Sequence, residues 1–336
     1  MKNAVKFFFT FFIGVSLFYF IINETGVDVI WRAINFFLRP EGAFIVLITL
    51  FSFLMASLRW REVIFSQQEK LPIFLLFRYL IKGFTIDFIT PFPIVGGETV
   101  RALLVKRDIG LKKGAASAVI DKIIDITTHF FFLIIGLIFF VFYGKTFHSA
   151  FINYIILFAF FLFLLLGFFY FFALRKKTIL KQIFKIPFFA KSKFFSNGDG
   201  QKVIEIEEEI VDFFSHRKRY LIRGVFFSFL KHFFLLGRVF FLLSLFNLNI
   251  GVAIFFIIYG FTVLSAIVPT PAAIGGMEAV MGICFGMLGF GFATGVIYAI
   301  VIRSADLFIC LIGTTLFVRT FLIKKAGLFL GGSNSS

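Results

Sequence analysis

The sequence predicts an all-α integral membrane protein, and three observations predict it. Of 336 residues, 60% are apolar and 15% charged, and mean hydropathy is +1.00, whereas a soluble domain is near half apolar and about a quarter charged. So many apolar side chains could not be hidden in one water-soluble core, so lipid must solvate much of the chain. Apolar runs recur at lengths suited to about 20 residues per crossing. Lys and Arg gather in short segments between those runs, as positive-inside topology requires. The expected architecture is about eight transmembrane or half-spanning helices in a single polytopic domain over 1–330, with two proline- and glycine-broken re-entrant segments. The polar tail 331–336 is expected to be disordered.

The runs fall at 4–22, 43–60, 73–90, 115–143, 149–174, 220–246, 250–268, 272–289 and 293–319. The first follows Lys2 and Lys6 and shows no small-residue cleavage site near Asn23, so it reads as a retained helix rather than a signal peptide. The run at 73–90 carries Arg78, Lys82 and Asp87 and breaks at Pro91 and Pro93; that at 250–268 breaks at Pro269 and Pro271. Proline removes a helical hydrogen bond and disfavours helix at the residue before it.

Orientation follows from the basic segments. Arg59, Arg61 and Lys70 follow the second run, Lys106, Arg107, Lys112 and Lys113 precede the fourth, and Arg319, Lys324 and Lys325 close the chain. All are expected in the cytoplasm, with both termini, and the plasma (inner) membrane is the expected location. The stretch 175–219 begins Arg175-Lys176-Lys177 and ends Arg217-Lys218-Arg219, so it reads as a basic cytoplasmic loop. Within it, Val203 to Phe214 sets apolar residues among Glu205, Glu207, Glu208 and Glu209, the pattern of a surface amphipathic helix. With both flanks of 73–95 cytoplasmic, that segment enters and returns. Such backbone is tolerated only where protein or a water-lined cavity shields it.

Several function classes are excluded. The +16 formal charge lies in the connecting segments, where the anionic cytoplasmic leaflet is its partner, so nucleic acid is not. Cys284 and Cys310 sit in apolar runs and suggest neither a disulfide nor a metal site. There is no P-loop, His/Cys metal constellation or nucleophile elbow, so no cofactor is expected. Any transport is then passive, partner-driven or coupled to an ion gradient. The 59 Phe partition well into hydrocarbon and need no functional explanation.

The two breaks share an order. Gly83-Phe84-Thr85, Pro91-Phe92-Pro93 and Gly96-Gly97-Glu98 are answered by Gly260-Phe261-Thr262, Pro269-Thr270-Pro271 and Gly275-Gly276 with Glu278. Interrupted segments in corresponding halves point to a transporter's binding site; glycines that merely let helices approach closely are the plainer explanation. A helix restarting after each Gly-Gly would offer free N–H groups and a positive dipole end to an anion such as a phosphate head group. Glu98 and Arg101, three residues apart, could pair on one helical face. The basic flanks make the second hairpin enter from the side opposite the first. The expectation is an inverted pair whose tips meet near the bilayer midplane; the alternative is that 250–268 and 272–289 both cross fully.

Thr90-Pro91-Phe92-Pro93-Ile94-Val95-Gly96-Gly97-Glu98-Thr99-Val100-Arg101 resembles a hallmark of the flippase-like membrane region of lysylphosphatidylglycerol synthases. Pro269-Thr270-Pro271-Ala272-Ala273-Ile274-Gly275-Gly276-Met277-Glu278-Ala279 resembles its second hallmark. Arg303 matches the family's arginine in the last helix, and Asp121-Lys122 stands where many members have an acidic–basic pair. Ala272 and Ala273 depart from the glycines common there. No soluble aminoacyl-transfer domain is read from the sequence, so the resemblance implies lipid handling or translocation rather than lipid synthesis.

An ionisable residue inside a membrane helix is a functional hypothesis by default. Asp121, Asp125 and His129 recur every four residues and share a stripe with Thr128. Lys231 and Arg238 are seven apart on another helix, and Arg303 and Asp306 three apart on the last. One reading makes these a substrate path: Gly96, Gly97, Gly275 and Gly276 line a central site. Arg101, Lys231, Arg238 and Arg303 meet phosphate, while Glu98, Asp121, Asp125 and Glu278 balance charge or meet a cationic head group. The other is an ion-pair lattice, Asp121 or Asp125 with Lys231 and Arg303 with Asp306. Lys122 could snorkel to the surface, and His232 reads as a packing histidine. The expected partners are anionic or aminoacylated phospholipids. Two rivals remain: a lysyltransferase-type lipid-modification component, and a scaffold that recruits a separate lipid-modifying enzyme through 175–219.

Overall fold

The computed structural model describes residues 2–90, 96–143, 199–248, 250–266, 268, 270 and 274–331, with isolated positions between 157 and 171. Pro91, Pro93, Pro269, Pro271, most of the run 149–174, residues 175–198 and the tail 332–336 lie outside the described residues. The protein is all-helical. Among the described residues there are eleven helices: α1 (Lys2–Thr25), α2 (Asp28–Phe37), α3 (Pro40–Ser66), α4 (Ile73–Ile89), α5 (Gly96–Ile109), α6 (Leu111–Tyr143), α7 (Asp199–His216), α8 (Lys218–Leu245), α9 (Val252–Ser265), α10 (Gly276–Met287) and α11 (Phe292–Gly331).

Among the described residues, four stretches, Pro40–Ser66, Leu111–Tyr143, Lys218–Leu245 and Phe292–Thr320, are long and apolar enough to cross a membrane. Their pattern is inside out. On α8, Ile222, Phe226, Phe229, Phe233 and Phe240 recur at helical spacing and are exposed, while Gly224, Ser228, His232, Arg238, Val239 and Leu242 on the opposite face are buried. Lipid solvates phenylalanine well and hydroxyl or imidazole groups poorly, so the polar stripe turns inward.

Two apolar clusters mark two ends of the bundle. One joins the end of α3 (Trp60, Val63, Ile64), the start of α4 (Leu76, Leu80), the end of α5 (Val105, Ile109), the start of α6 (Ala116, Ile120) and Phe213 and Phe214 of α7. This is the basic end, flanked by Lys106, Arg107, Lys112 and Lys113. α7 is therefore amphipathic as expected, but its apolar face is packed into this cluster rather than left at a surface. The larger cluster joins Ile45 and Val46 of α3, Phe140 of α6, Val239 to Leu243 of α8, and α9, α10 and α11.

Each break makes a helical hairpin. α4 stops at Thr90, whose φ of −87° and ψ of 145° are extended, as the following proline demands. α5 then returns along α4: a Cβ on Gly83 would meet the Arg101 side chain and the Gly97 carbonyl, and one on Gly96 would meet Thr90, Ile86 and Asp87. The start of α4 and the end of α5 both lie in the basic-end cluster, so this hairpin enters and returns. Near its tip Phe84 packs edge-on against Phe53, ring centroids 4.9 Å apart, halfway along α3. The second hairpin is inverted. α9 starts beside the far end of α6, with Phe256 stacked on Phe139 at 5.7 Å and Gly260 against Gly136. α10 begins after Gly275, at φ +74°, and its second half packs on the start of α11, Gly282 against Phe292 and Met281 against Gly295.

Two sequence expectations need correction. Arg59 was read as a connecting-segment residue, yet it lies within α3 and is 2% exposed; α3 runs a turn and a half beyond its apolar run because its last residues are buried by α6 and α8. The helix α2 was not anticipated. Its Val29 and Ala33, four apart, are buried, a stripe too short to register as a run.

Candidate functional site

The first half of the bundle is tied by a buried ion network. α3 presents Arg59, which binds Asp121 of α6 through two nitrogens, Nε–Oδ1 at 2.6 Å and Nη2–Oδ2 at 3.1 Å. Its Nη1 reaches Asp125, one turn on, and Ser228 of α8 at 3.1 Å. Asp121 also accepts from Arg101 Nη2 at 2.6 Å, whose guanidinium lies over the Trp60 ring at 4.2 Å. Asp125 further accepts from Lys231 Nζ at 2.7 Å. Removing one partner from such a buried pair strands the other charge, at a cost of about 3–5 kcal/mol. Arg101 is thus how the first hairpin is fastened to α3 and α6.

At the hairpin tip the helix start is already capped. The Gly97 N–H donates to Asp87 Oδ1 at 2.6 Å, a charge-assisted bond at the positive end of α5. Only glycine fits, because a Cβ there would stand 2.2 Å from Asp87 Oδ2 and 2.7 Å from the Gly83 carbonyl oxygen. Glu98 turns away from Arg101 and pairs with Lys122 at 2.9 Å. The expected Glu98–Arg101 pair does not form, because Asp121 takes the arginine.

Between the two tips lies a cavity of about 240 Å³ lined by both broken segments: Phe84, Asp87, Phe88 and Thr90 from the first, Ser265, Ala266, Val268 and Thr270 from the second. His129, Arg238, Tyr259, Thr262, Arg303 and Asp306 complete its polar wall. Arg238 donates to Asp306 Oδ1 at 3.0 Å and to Thr49 Oγ1 at 3.2 Å; Arg303 binds Glu278 in the first turn of α10. The expected Arg303–Asp306 pair is therefore replaced by two interhelical pairs. In each arginine one Nη binds the carboxylate and Nε is left buried without a partner, as are the hydroxyls of Thr90 and Thr270. Four residues from four elements that line one space thus each carry a buried, unsatisfied hydrogen-bonding atom, and buried groups in that state call for an occupant or water.

The predicted site residues separate into three places. Arg238, Arg303 and Asp306 line the cavity. Arg101, Asp121, Asp125 and Lys231 belong to the ion network. Glu98 and Lys122 lie at a second depression between α5 and α6. Glu278 stands behind Arg303. Gly96 and Gly97 pack against Asp87 and Thr90, and Gly276 packs against Val268 and Thr270; having no side chains, they let these cavity-lining residues approach the helix starts closely. Pro91, Pro93, Pro269 and Pro271 fall outside the described residues. Sequence reasoning missed Arg59 and Asp87 as partners. The signal for Asp87 was an acid four residues before a proline break; for Arg59 it was a position only 7 residues before the helix end.

His129 and His232 meet edge to face at 4.4 Å, and His232 Nδ1 shares a 2.5 Å hydrogen bond with the Tyr259 hydroxyl. With Asp125 they bring three donor atoms within 4.8 Å of one another, a grouping unseen in the sequence because the histidines come from two helices. Arg59 and Lys231 already occupy Asp125, so a dication there would face two adjacent positive charges.

A profile of the lysylphosphatidylglycerol synthase TM region matches residues 7–313. A UPF0104 membrane protein from Methanocaldococcus jannaschii is 25% identical over 279 residues, which cover 79% of this chain and 80% of the relative. No solved structure matches the chain. The family match spans both hairpins, the ion network and the cavity, and the chain belongs to the lysylphosphatidylglycerol synthase transmembrane family.

Proposed function

We propose that this protein binds the phosphate-bearing head group of an anionic or aminoacylated membrane phospholipid between its two hairpin tips and carries it across the bilayer. The observation that carries the reading is the set of unpartnered donors, Arg238 Nε, Arg303 Nε and the Thr90 and Thr270 hydroxyls, all on residues that line one space. A phosphate oxygen satisfies N–H and O–H donors together, and arginine is suited to it. Asp87 and Asp306 in the same wall can take a cationic substituent on the head group. Size decides what enters: about 240 Å³ is below the ≈300–1,000 Å³ of sites for drug-sized ligands, so the head group enters and the acyl chains stay in lipid. Inverted hairpins open to opposite sides suit alternating exposure of one central site.

On this reading the basic end is cytoplasmic, the location is the plasma membrane, and the chain moves lipid rather than transferring an aminoacyl group to it. The test is reconstitution into vesicles carrying fluorescent phosphatidylglycerol in both leaflets, with an impermeant quencher outside. The protein should expose inner-leaflet lipid faster than protein-free vesicles. The neutral-pair variants Arg238→Gln/Asp306→Asn and Arg303→Gln/Glu278→Gln, which leave no stranded charge, should be slow while still folded. Folded neutral-pair variants as fast as the native protein would sink the proposal. So would a native protein no faster than empty vesicles, with or without a proton gradient.

A further inference from the structure

We propose a second lipid site: the groove between α5 and α6 holds one acyl chain of an anionic phospholipid from the leaflet on the basic side, and the Glu98–Lys122 ion pair closes that groove from the central cavity. The site rests on the translocation reading for its purpose but not for its existence.

The groove measures about 500 Å³, and its walls include Ala102, Leu103, Leu111, Ala115 and Val119. Leu103, Leu111 and Val119 are exposed, and alternation with alanine opens a channel rather than a flat face. Its length is informative. From Leu111 to Lys122 is eleven residues of one helix, ~17 Å at 1.5 Å each, close to half of a ~30 Å hydrocarbon core. The groove thus runs the depth of one leaflet.

Its two ends differ in chemistry. At the outer end, Lys106 follows Leu103 by three residues and Ala102 by four, so it continues the same face of α5. Arg107 and Lys112 stand beside it, and all three are exposed. An apolar channel opening at three cations fits a lipid whose tail lies inward and whose phosphate sits at the rim. At the inner end stand Glu98 and Lys122, paired at 2.9 Å with side chains 12% and 25% exposed. A hydrocarbon tail makes no use of a charged pair at that depth.

The pair's position gives it a different use. Glu98 follows Gly97, whose N–H is held by Asp87, and Asp87 lines the central cavity. Groove and cavity therefore back onto each other across Asp87, Gly97 and Glu98. Glu98 Oε2 is buried with no hydrogen-bond partner, so the closure is only half satisfied. A phosphate moving inward competes with Glu98 for Lys122 and opens it.

The experiment uses the purified protein in phosphatidylcholine vesicles doped with phosphatidylglycerol bearing a photoreactive group in its acyl chain, or with a phosphatidylcholine probe carrying the same group. Peptide mass spectrometry then maps the adducts. The anionic probe should label residues 99–119 in preference to the exposed phenylalanine face of α8. Each basic side chain near an anionic lipid is worth roughly fivefold, so Lys106→Gln/Lys112→Gln should reduce the preference for the anionic probe by roughly 25-fold. Ala115→Trp, which fills the channel, should remove labelling of 99–119 by either probe. The neutral-pair cavity variants should retain this labelling while losing translocation. Labelling that is equal for both probes, or equally strong on Phe226, Phe233 and Phe240, would overturn the site. A native protein that labels here but does not translocate would leave the groove standing and remove the function proposed above.

Discussion

The two hairpins share a plan and differ in what holds them. The first is fastened by charge: Arg101 binds Asp121, Glu98 binds Lys122 and Asp87 caps Gly97. The second is fastened mainly by fit, with Gly260 against Gly136, Gly282 against Phe292, a Thr262–Tyr298 hydroxyl contact at 3.0 Å and, among the described residues, a single ion pair, Glu278–Arg303. Apolar packing in lipid supplies little net drive between helices and relies on close approach, whereas an internal ion network is strong and directional. The difference teaches that the same topology can be held by close contact or by charge.

The largest effect available is all or none and tests the inversion itself. Cysteines at Gln68, by the first hairpin's flank, and at Asn247, by the second's, are both exposed, and native Cys284 and Cys310 are buried. In intact cells an impermeant maleimide should label Asn247→Cys and spare Gln68→Cys. Labelling of both, or of Gln68→Cys alone, would break the proposed orientation.

Charge removal comes next. Arg59→Met removes the cation that Asp121 and Asp125 share, leaving Asp121 to Arg101 and Asp125 to Lys231, and should cost up to about 3 kcal/mol, the upper range for a hydrogen bond to a charged group, read as loss of monodisperse protein and a large fall in Tm in detergent. Thr262→Val in the second hairpin should cost about 1 kcal/mol, the net worth of one hydrogen bond. Equal falls in Tm would mean that the two halves are not held differently.

Glycine substitution sharpens the contrast further. Gly97→Ala drives a Cβ into Asp87 and should cost about 1–3 kcal/mol by overpacking, whereas Gly275→Ala at φ +74° meets the positive-φ penalty of roughly 1–2 kcal/mol. Combined with Asp87→Ala, Gly97→Ala should be less than additive, since the clash is with that side chain. Strict additivity in a thermal-unfolding cycle would show that the cap is not the cause.

The smallest effect belongs to the rim. Lys113 and Glu69 pair at 2.5 Å with side chains 40% and 32% exposed. Lys113→Met should shift stability by no more than about 1 kcal/mol, the upper range for exposed pairs. A fall rivalling Arg59→Met would mean that burial does not rank these charges.

The sequence by itself determined that the chain is a helical membrane protein, where its long helices run, and that two proline breaks interrupt them. Those properties depend on local composition and on backbone groups that lipid cannot satisfy. It also singled out Asp121, Asp125, Lys231, Arg238 and Arg303 as membrane charges. Which partner each charge takes was decided only by tertiary structure, because pairs such as Arg59–Asp121, 62 residues apart, and Arg238–Asp306, 68 apart, leave no periodic trace. The same holds for the site. Glycines and prolines are legible because they change the backbone, but the side chains that turn toward the cavity are set by how two distant hairpins meet.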